Sequence, residues 1–144
     1  MSRKAKDLES LLRLHSWTVD EHRRELGVLL AREEELIQFG RELDLQLIRE
    51  QIVATENPTT SGFSYAAFAK FHRLRREQWA RTLDAMREEI EQARDRLADA
   101  YRQLKVYEEV QKERARVEKE EEARKEQIAF DEIGETQFRQ RNTP

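Results

Sequence analysis

Two tracts of apolar residues at heptad spacing, divided by one cluster of helix breakers, constrain this chain more than any other feature. Stepping 4-3-4-3 from Leu8, the first tract reads Leu8, Leu12, His15, Val19, His22, Leu26, Leu29, Glu33, Leu36, Gly40, Leu43 and Leu47. From Tyr65 the second reads Tyr65, Ala69, His72, Arg76, Trp79, Leu83, Met86, Ile90, Ala93, Leu97, Ala100, Leu104 and Tyr107. Eight of the twelve positions in the first tract are apolar, with no two polar exceptions in succession, and eleven of the thirteen in the second are apolar. Sustained a/d heptads of this length specify a coiled-coil seam rather than an ordinary globular helix. Between the tracts lies Asn57-Pro58-Thr59-Thr60-Ser61-Gly62, a turn-forming stretch. A short connection between consecutive long helices makes them antiparallel neighbours.

Folding back at this break sets residue i against residue 119 − i. Leu29 then meets Ile90, Leu26 meets Ala93, Val19 meets Ala100, Leu12 meets Tyr107, and His15 meets Leu104. Gly40 meets Trp79, so a residue that costs a helix interior about 1 kcal/mol leaves room for the largest side chain. The expected fold is all-α: a long antiparallel two-helix coiled-coil hairpin with an overhanging C-terminal helix. It forms a single coiled-coil domain over 1–144, with helix one at about 4–54, a loop at 55–63, helix two at about 64–130 and a frayed tail at 131–144. Ser64 is the expected N-cap of helix two, and Pro58 stops helix one. Everything beyond about Arg116 overhangs the start of helix one. It is highly charged through Glu118-Lys119-Glu120-Glu121-Glu122, then apolar again at Ile128, Phe130, Ile133 and Phe138.

Composition supports this reading. Charged residues make up 40% of the chain and aromatics 8%, a balance typical of long helices, and the heptad rhythm separates it from disorder. With 27 basic and 30 acidic residues, wholesale nucleic-acid binding is not expected. No apolar run reaches the ~20 residues of a membrane span, and no signal-peptide pattern follows the basic start. The chain has no Cys, which excludes disulfides and thiolate metal sites. His15 and His22 sit one heptad apart, about 10 Å along a helix and too far to share a metal ion. Glycine-rich phosphate loops, nucleophile elbows and zinc spacings are all missing from the sequence. No catalytic, cofactor or metal residues are assigned, and the expectation is not an enzyme.

The surplus over a two-helix seam lies near the break. Ile37, Phe39, Leu45, Ile48, Ile52 and Val53 precede it off the seam, and Phe63, Phe68, Phe71 and Leu74 follow it. One antiparallel partner covers only a narrow stripe, so an apolar surface is expected here, of the kind that marks a partner. Lys70, Arg73, Arg75, Arg76 and Arg81 lie beside it, relieved only by Glu77.

The mid-chain break, Tyr65-Ala66-Ala67-Phe68 after it, the longer charged C-terminal arm, and the stretches Leu11-Leu12-Arg13-Leu14-His15-Ser16-Trp17-Thr18-Val19-Asp20-Glu21 and Leu104-Lys105-Val106-Tyr107-Glu108 together resemble the flagellar FliJ family. The likeness covers nearly the whole chain through weak motifs. It implies a non-enzymatic stalk protein, cytoplasmic and peripherally associated with the membrane-bound type III export apparatus. The partners it implies are the export ATPase hexamer, the cytoplasmic domain of the membrane export gate, and escort chaperones. The free protein is expected to be a monomer that does not insert in membranes. On this reading the arm carrying Arg116, Glu120, Arg124 and Ile128 enters the ATPase ring. The surface of Leu43, Leu47, Phe68, Phe71, His72 and Arg75 meets the gate. Phe68 matches the aromatic that ends the family's Tyr-x-x-Phe element. The family's first-helix tyrosines are replaced here by Leu43, Leu45 and Leu47, which leaves the contacts of that helix open. Two other readings stay open: a structural coiled coil that self-assembles through the apolar end, and a chaperone of export substrates.

Overall fold

The computed structural model describes residues 3–143, with backbone alone at 60–62, so readings made on Met1, Ser2 and Pro144 lie outside the described residues. It consists of two helices, α1 (Arg3–Glu56) and α2 (Pro58–Asn142), and no strand among the described residues. The expected all-α helical hairpin is therefore observed. By contact density the chain divides into two units, one of residues 1–16 with 101–144 and the other of residues 17–100.

Helix ends depart from the sequence reading. A single residue, Asn57, separates the helices where a loop over 55–63 was expected. Its N–H donates to the Val53 carbonyl at 3.1 Å, closing the last turn of α1. The same residue takes the N-cap position of α2, with Pro58 at the first helical position. A missing N–H costs nothing there and a fixed φ is favourable. Ser64, expected as the cap, lies inside α2. Among the described residues none has a positive φ, so the reversal needs no left-handed glycine. At the other end α2 runs through residues 131–142, expected to fray. No proline interrupts it there, Gln127 donates to Asp131 at 3.1 Å, and Arg139 and Arg141 in the last turn complement the helix dipole.

In the 17–100 unit the two helical segments run antiparallel. Glu25 pairs with Arg96, Glu33 with Arg87 and Asp44 with Arg76, numbers rising on α1 as they fall on α2. Between these flanking pairs lies the seam. Leu29, Ile90 and Ala93 form a buried cluster against which Leu26 and Met86 pack, and Val19, Leu43, Leu83 and Ala100 are buried along the same line. Burying a side chain such as Leu43 contributes about 1.5–3 kcal/mol, so a handful of seam residues carries the pairing. Small residues alternate with large ones, which lets two helices approach closely. Gly40 is the tightest case. A Cβ built on it would lie 2.5 Å from Trp79 Cε2, and the indole Nε1 donates to the Leu36 carbonyl at 2.6 Å.

In the other unit, α1 residues up to Ser16 pack against the start of its α2 segment. Leu8 is buried, the His15 ring stacks on Tyr107 with centroids 4.5 Å apart, and Arg114 donates to the Lys4 carbonyl at 3.4 Å. Every residue from Glu108 to Thr143 is exposed. Beyond residue 118 the hydrogen bonds among the described residues all stay within four positions of the donor. All twenty-five seam positions named from the sequence are buried or half-buried.

Candidate partner-binding surfaces

In the 17–100 unit a group of apolar and basic side chains lies off the seam near Asn57. Phe39, Leu45, Ile48, Ile52, Val53, Phe63, Phe71 and Leu74 are all exposed there, Phe63 at 95%. A helix can present only one stripe to its neighbour, and α1 and α2 have already used theirs. Ile37 and Phe68, expected in this surface, are half-buried against the seam edge.

Arg75 organises part of the surface. Its guanidinium lies 5.8 Å from the Phe39 ring and 5.6 Å from the Phe71 ring, a cation held between two aromatic faces. It also borders a shallow cleft of about 300 Å³ lined by Leu36, Phe39, Gln78, Trp79 and Thr82. Arg76, one position on, is committed elsewhere. Its guanidinium grips both carboxylate oxygens of Asp44 at 2.8 and 2.9 Å and lies 4.8 Å over the Trp79 ring.

The six residues expected at the gate are thus divided by the structure. Phe71 is exposed, while Phe68 and Arg75 are half-buried at the surface. Leu43 and His72 belong to the seam instead, and Leu47 is half-buried on the same line. Leu43 retains 2% of its surface and His72 7%, and His72 Nε2 donates to the Leu43 carbonyl at 3.0 Å. These two make one interhelical contact and offer no surface. Both sit at a/d positions, so the period that built the hairpin also removes them from it. Phe39, Phe63 and Leu74 are instead among the exposed apolar residues here; all are off the seam, which is the signal that finds them.

Arg116, Glu120, Arg124 and Ile128, expected at the ATPase, lie together on the exposed α2 segment of the other unit. Arg116 pairs with Glu113 and Glu120 one turn to either side. The hydrogen bond from Arg116, with its charge, lowers the Glu113 carboxyl below its ordinary value, and the Arg116 guanidinium is held protonated in turn. Such i, i+3 and i, i+4 pairs support a helix that has no neighbour. Farther along, Ile128, Phe130, Ile133 and Phe138 are each more than half exposed. Among the described residues no group of His, Asp and Glu is placed to hold a metal ion, and no helix is long and apolar enough to cross a membrane.

Fold and surfaces together define an all-α helical hairpin of coiled-coil type, with side-chain chemistry on its outside left unpartnered. A sequence model of the family described as flagellar FliJ protein matches residues 4–143. The chain belongs to the flagellar FliJ family and with it to the proteins of the flagellar export apparatus. Comparison with curated proteins and with solved structures gave no match.

Proposed function

We propose that the chain is a non-enzymatic coupling protein of the flagellar type III export apparatus, linking the export ATPase ring to the cytoplasmic domain of the export gate. One observation carries this reading: each unit bears its own unpartnered surface, and the two differ in chemistry. The charged α2 segment beyond Glu118 is exposed and carries the apolar residues Ile128, Phe130, Ile133 and Phe138, suited to a surrounding protein ring. The surface of Phe39, Phe71 and Arg75 is apolar and basic, suited to a different partner. On this reading the chain works in the cytoplasm, peripherally at the membrane-bound apparatus, as a monomer when free, and escort chaperones are further partners.

The test is to titrate the purified ATPase and the purified gate domain separately with the chain, following binding and the rate of ATP hydrolysis. Ile128→Ala with Ile133→Ala should weaken the ATPase interaction and spare the gate. Phe71→Ala with Leu74→Ala should do the reverse. A chain that neither binds the ATPase nor alters its hydrolysis ends this reading.

A further inference from the structure

We infer that the outer face of α2 between Phe63 and Arg81 is a docking strip for an amphipathic helix with acidic flanks, supplied by another protein. This deepens the gate-side reading above by giving the chemistry of the partner segment. Three observations meet on this strip. First, Phe63, Phe71 and Leu74 are exposed at 95%, 57% and 56%, and they lie on the side of α2 turned away from Tyr65, Ala69, His72 and Trp79. With exposed Ala67 between them they are spaced 4, 4 and 3 residues apart, a second helical stripe on a helix whose first is already in use. It covers three turns, about 17 Å of axis.

Second, cations border the stripe. Lys70 and Arg81 are exposed on one side, and Arg75, held by the Phe39 and Phe71 rings, stands on the other. Of the five basic residues between 70 and 81, only Arg76 has an ion-pair partner among the described residues. In a coiled-coil contact, charges flanking the apolar stripe select the partner, so these positions call for Glu or Asp opposite them. Third, the strip lies on a helix whose backbone groups are already bonded, so it cannot accept an added strand. Side chains alone must make the contact, in the helix-in-groove manner. A second copy of the chain is disfavoured, because an isologous contact would crowd two sets of the same cations together.

The probe is an amphipathic peptide of about three heptads with Leu at a and d and Glu at the flanking positions. Its counterpart carries Lys in place of Glu, and both are titrated into the full chain. The Glu peptide should bind at least about tenfold more tightly than the Lys peptide, with affinity falling as salt is raised. Lys70→Glu with Arg75→Glu and Arg81→Glu should reverse that preference. Phe71→Ala with Leu74→Ala should remove binding of the Glu peptide while circular dichroism shows the helices intact. Equal binding of the two peptides, or an unreversed preference in the charge-swapped chain, overturns the inference. So does dimerisation of the chain alone that is lost in Phe71→Ala with Leu74→Ala, which would give the strip to a second copy. Flotation of the chain with phosphatidylserine vesicles, without selection between peptides, would give it to a lipid surface. The gate domain, titrated in parallel, keeps the two claims apart: if it fails to bind while the peptides are told apart, the coupling reading falls and the acidic-helix strip stands.

Discussion

The contact between Gly40 and Trp79 allows a prediction whose sign opposes the usual expectation. Replacing a glycine in the interior of a helix by alanine ordinarily stabilises by about 1 kcal/mol. At Gly40 the added methyl would sit 2.5 Å from Trp79 Cε2 and 3.0 Å from Cη2, well inside van der Waals contact. The indole is tied at both sides, by its 2.6 Å hydrogen bond to the Leu36 carbonyl and by the Arg76 guanidinium 4.8 Å over its ring. Overfilling a packed site costs about 1–3 kcal/mol. Loss of the indole hydrogen bond as the ring retreats adds about 1 kcal/mol. Set against the propensity gain of about 1 kcal/mol, Gly40→Ala should destabilise by about 1–3 kcal/mol. Gly27, with nothing within 4 Å of a built Cβ, is the internal control, and Gly27→Ala should stabilise by about 1 kcal/mol. Urea unfolding followed by circular dichroism measures both. In a double-mutant cycle, Trp79→Leu should relieve the clash, giving a favourable coupling of at least about 1 kcal/mol with Gly40→Ala. If Gly40→Ala stabilises as much as Gly27→Ala, the glycine is not there for the tryptophan and the reasoning fails.

Other outcomes follow from single contacts. His72→Leu should be nearly neutral in stability and leave gate binding intact, because the buried imidazole needs the Leu43 carbonyl more than that mid-helix carbonyl needs it. His72→Ala should cost about 2 kcal/mol through the cavity it leaves, as read from the same urea curves. Asp44→Asn should cost at most about 1 kcal/mol, less at high salt, since both partners of the Asp44–Arg76 pair are more than two-fifths exposed. The lowered carboxyl of Glu113 means that its pairing with Arg116 contributes above the ordinary glutamate pKa and is lost as pH falls through the depressed value. An NMR titration should therefore find Glu113 ionising below the ordinary glutamate range, and Arg116→Gln should bring it back. A Glu113 that titrates normally in the unaltered chain would show that the pair does not persist in solution.

The seam was readable in full because one physical rule governs it. Every second contact along a coiled coil demands an apolar or small residue, so twenty-five positions can be named by counting, and even His15, His22 and Arg76 fall inward by register. Helix ends obey weaker and competing rules. Pro58 is a breaker for the helix before it and a good first residue for the helix after it, and the sequence does not say which role prevails. The tail at 131–144 is expected to fray, yet its one glycine, Gly134, costs about 1 kcal/mol and leaves a helix with local hydrogen bonds and a basic last turn continuous.

The partner surfaces expose a deeper limit. A seam and a docking strip use the same residue types at the same spacing, and only position relative to the neighbouring helix separates them. Leu43 and Leu74 are the same residue, but one keeps 2% of its surface and the other 56%. Assigning Leu43 and His72 to a partner transferred a family's pattern onto positions that this chain's own heptads had already claimed. The exposed surface follows from subtraction in large part: take the apolar residues near Asn57, remove those on the 4-3 register, and Phe39, Leu45, Ile48, Ile52, Val53, Phe63, Phe71 and Leu74 remain exposed, with Ile37 and Phe68 half-buried beside them. What subtraction does not supply is the sandwich of Arg75 between Phe39 and Phe71, which depends on how the two helices are rotated about their axes. That rotation is fixed by side chains such as Trp79 wedged against Gly40. Through it, a packing detail of the seam sets the charge pattern that a partner meets outside.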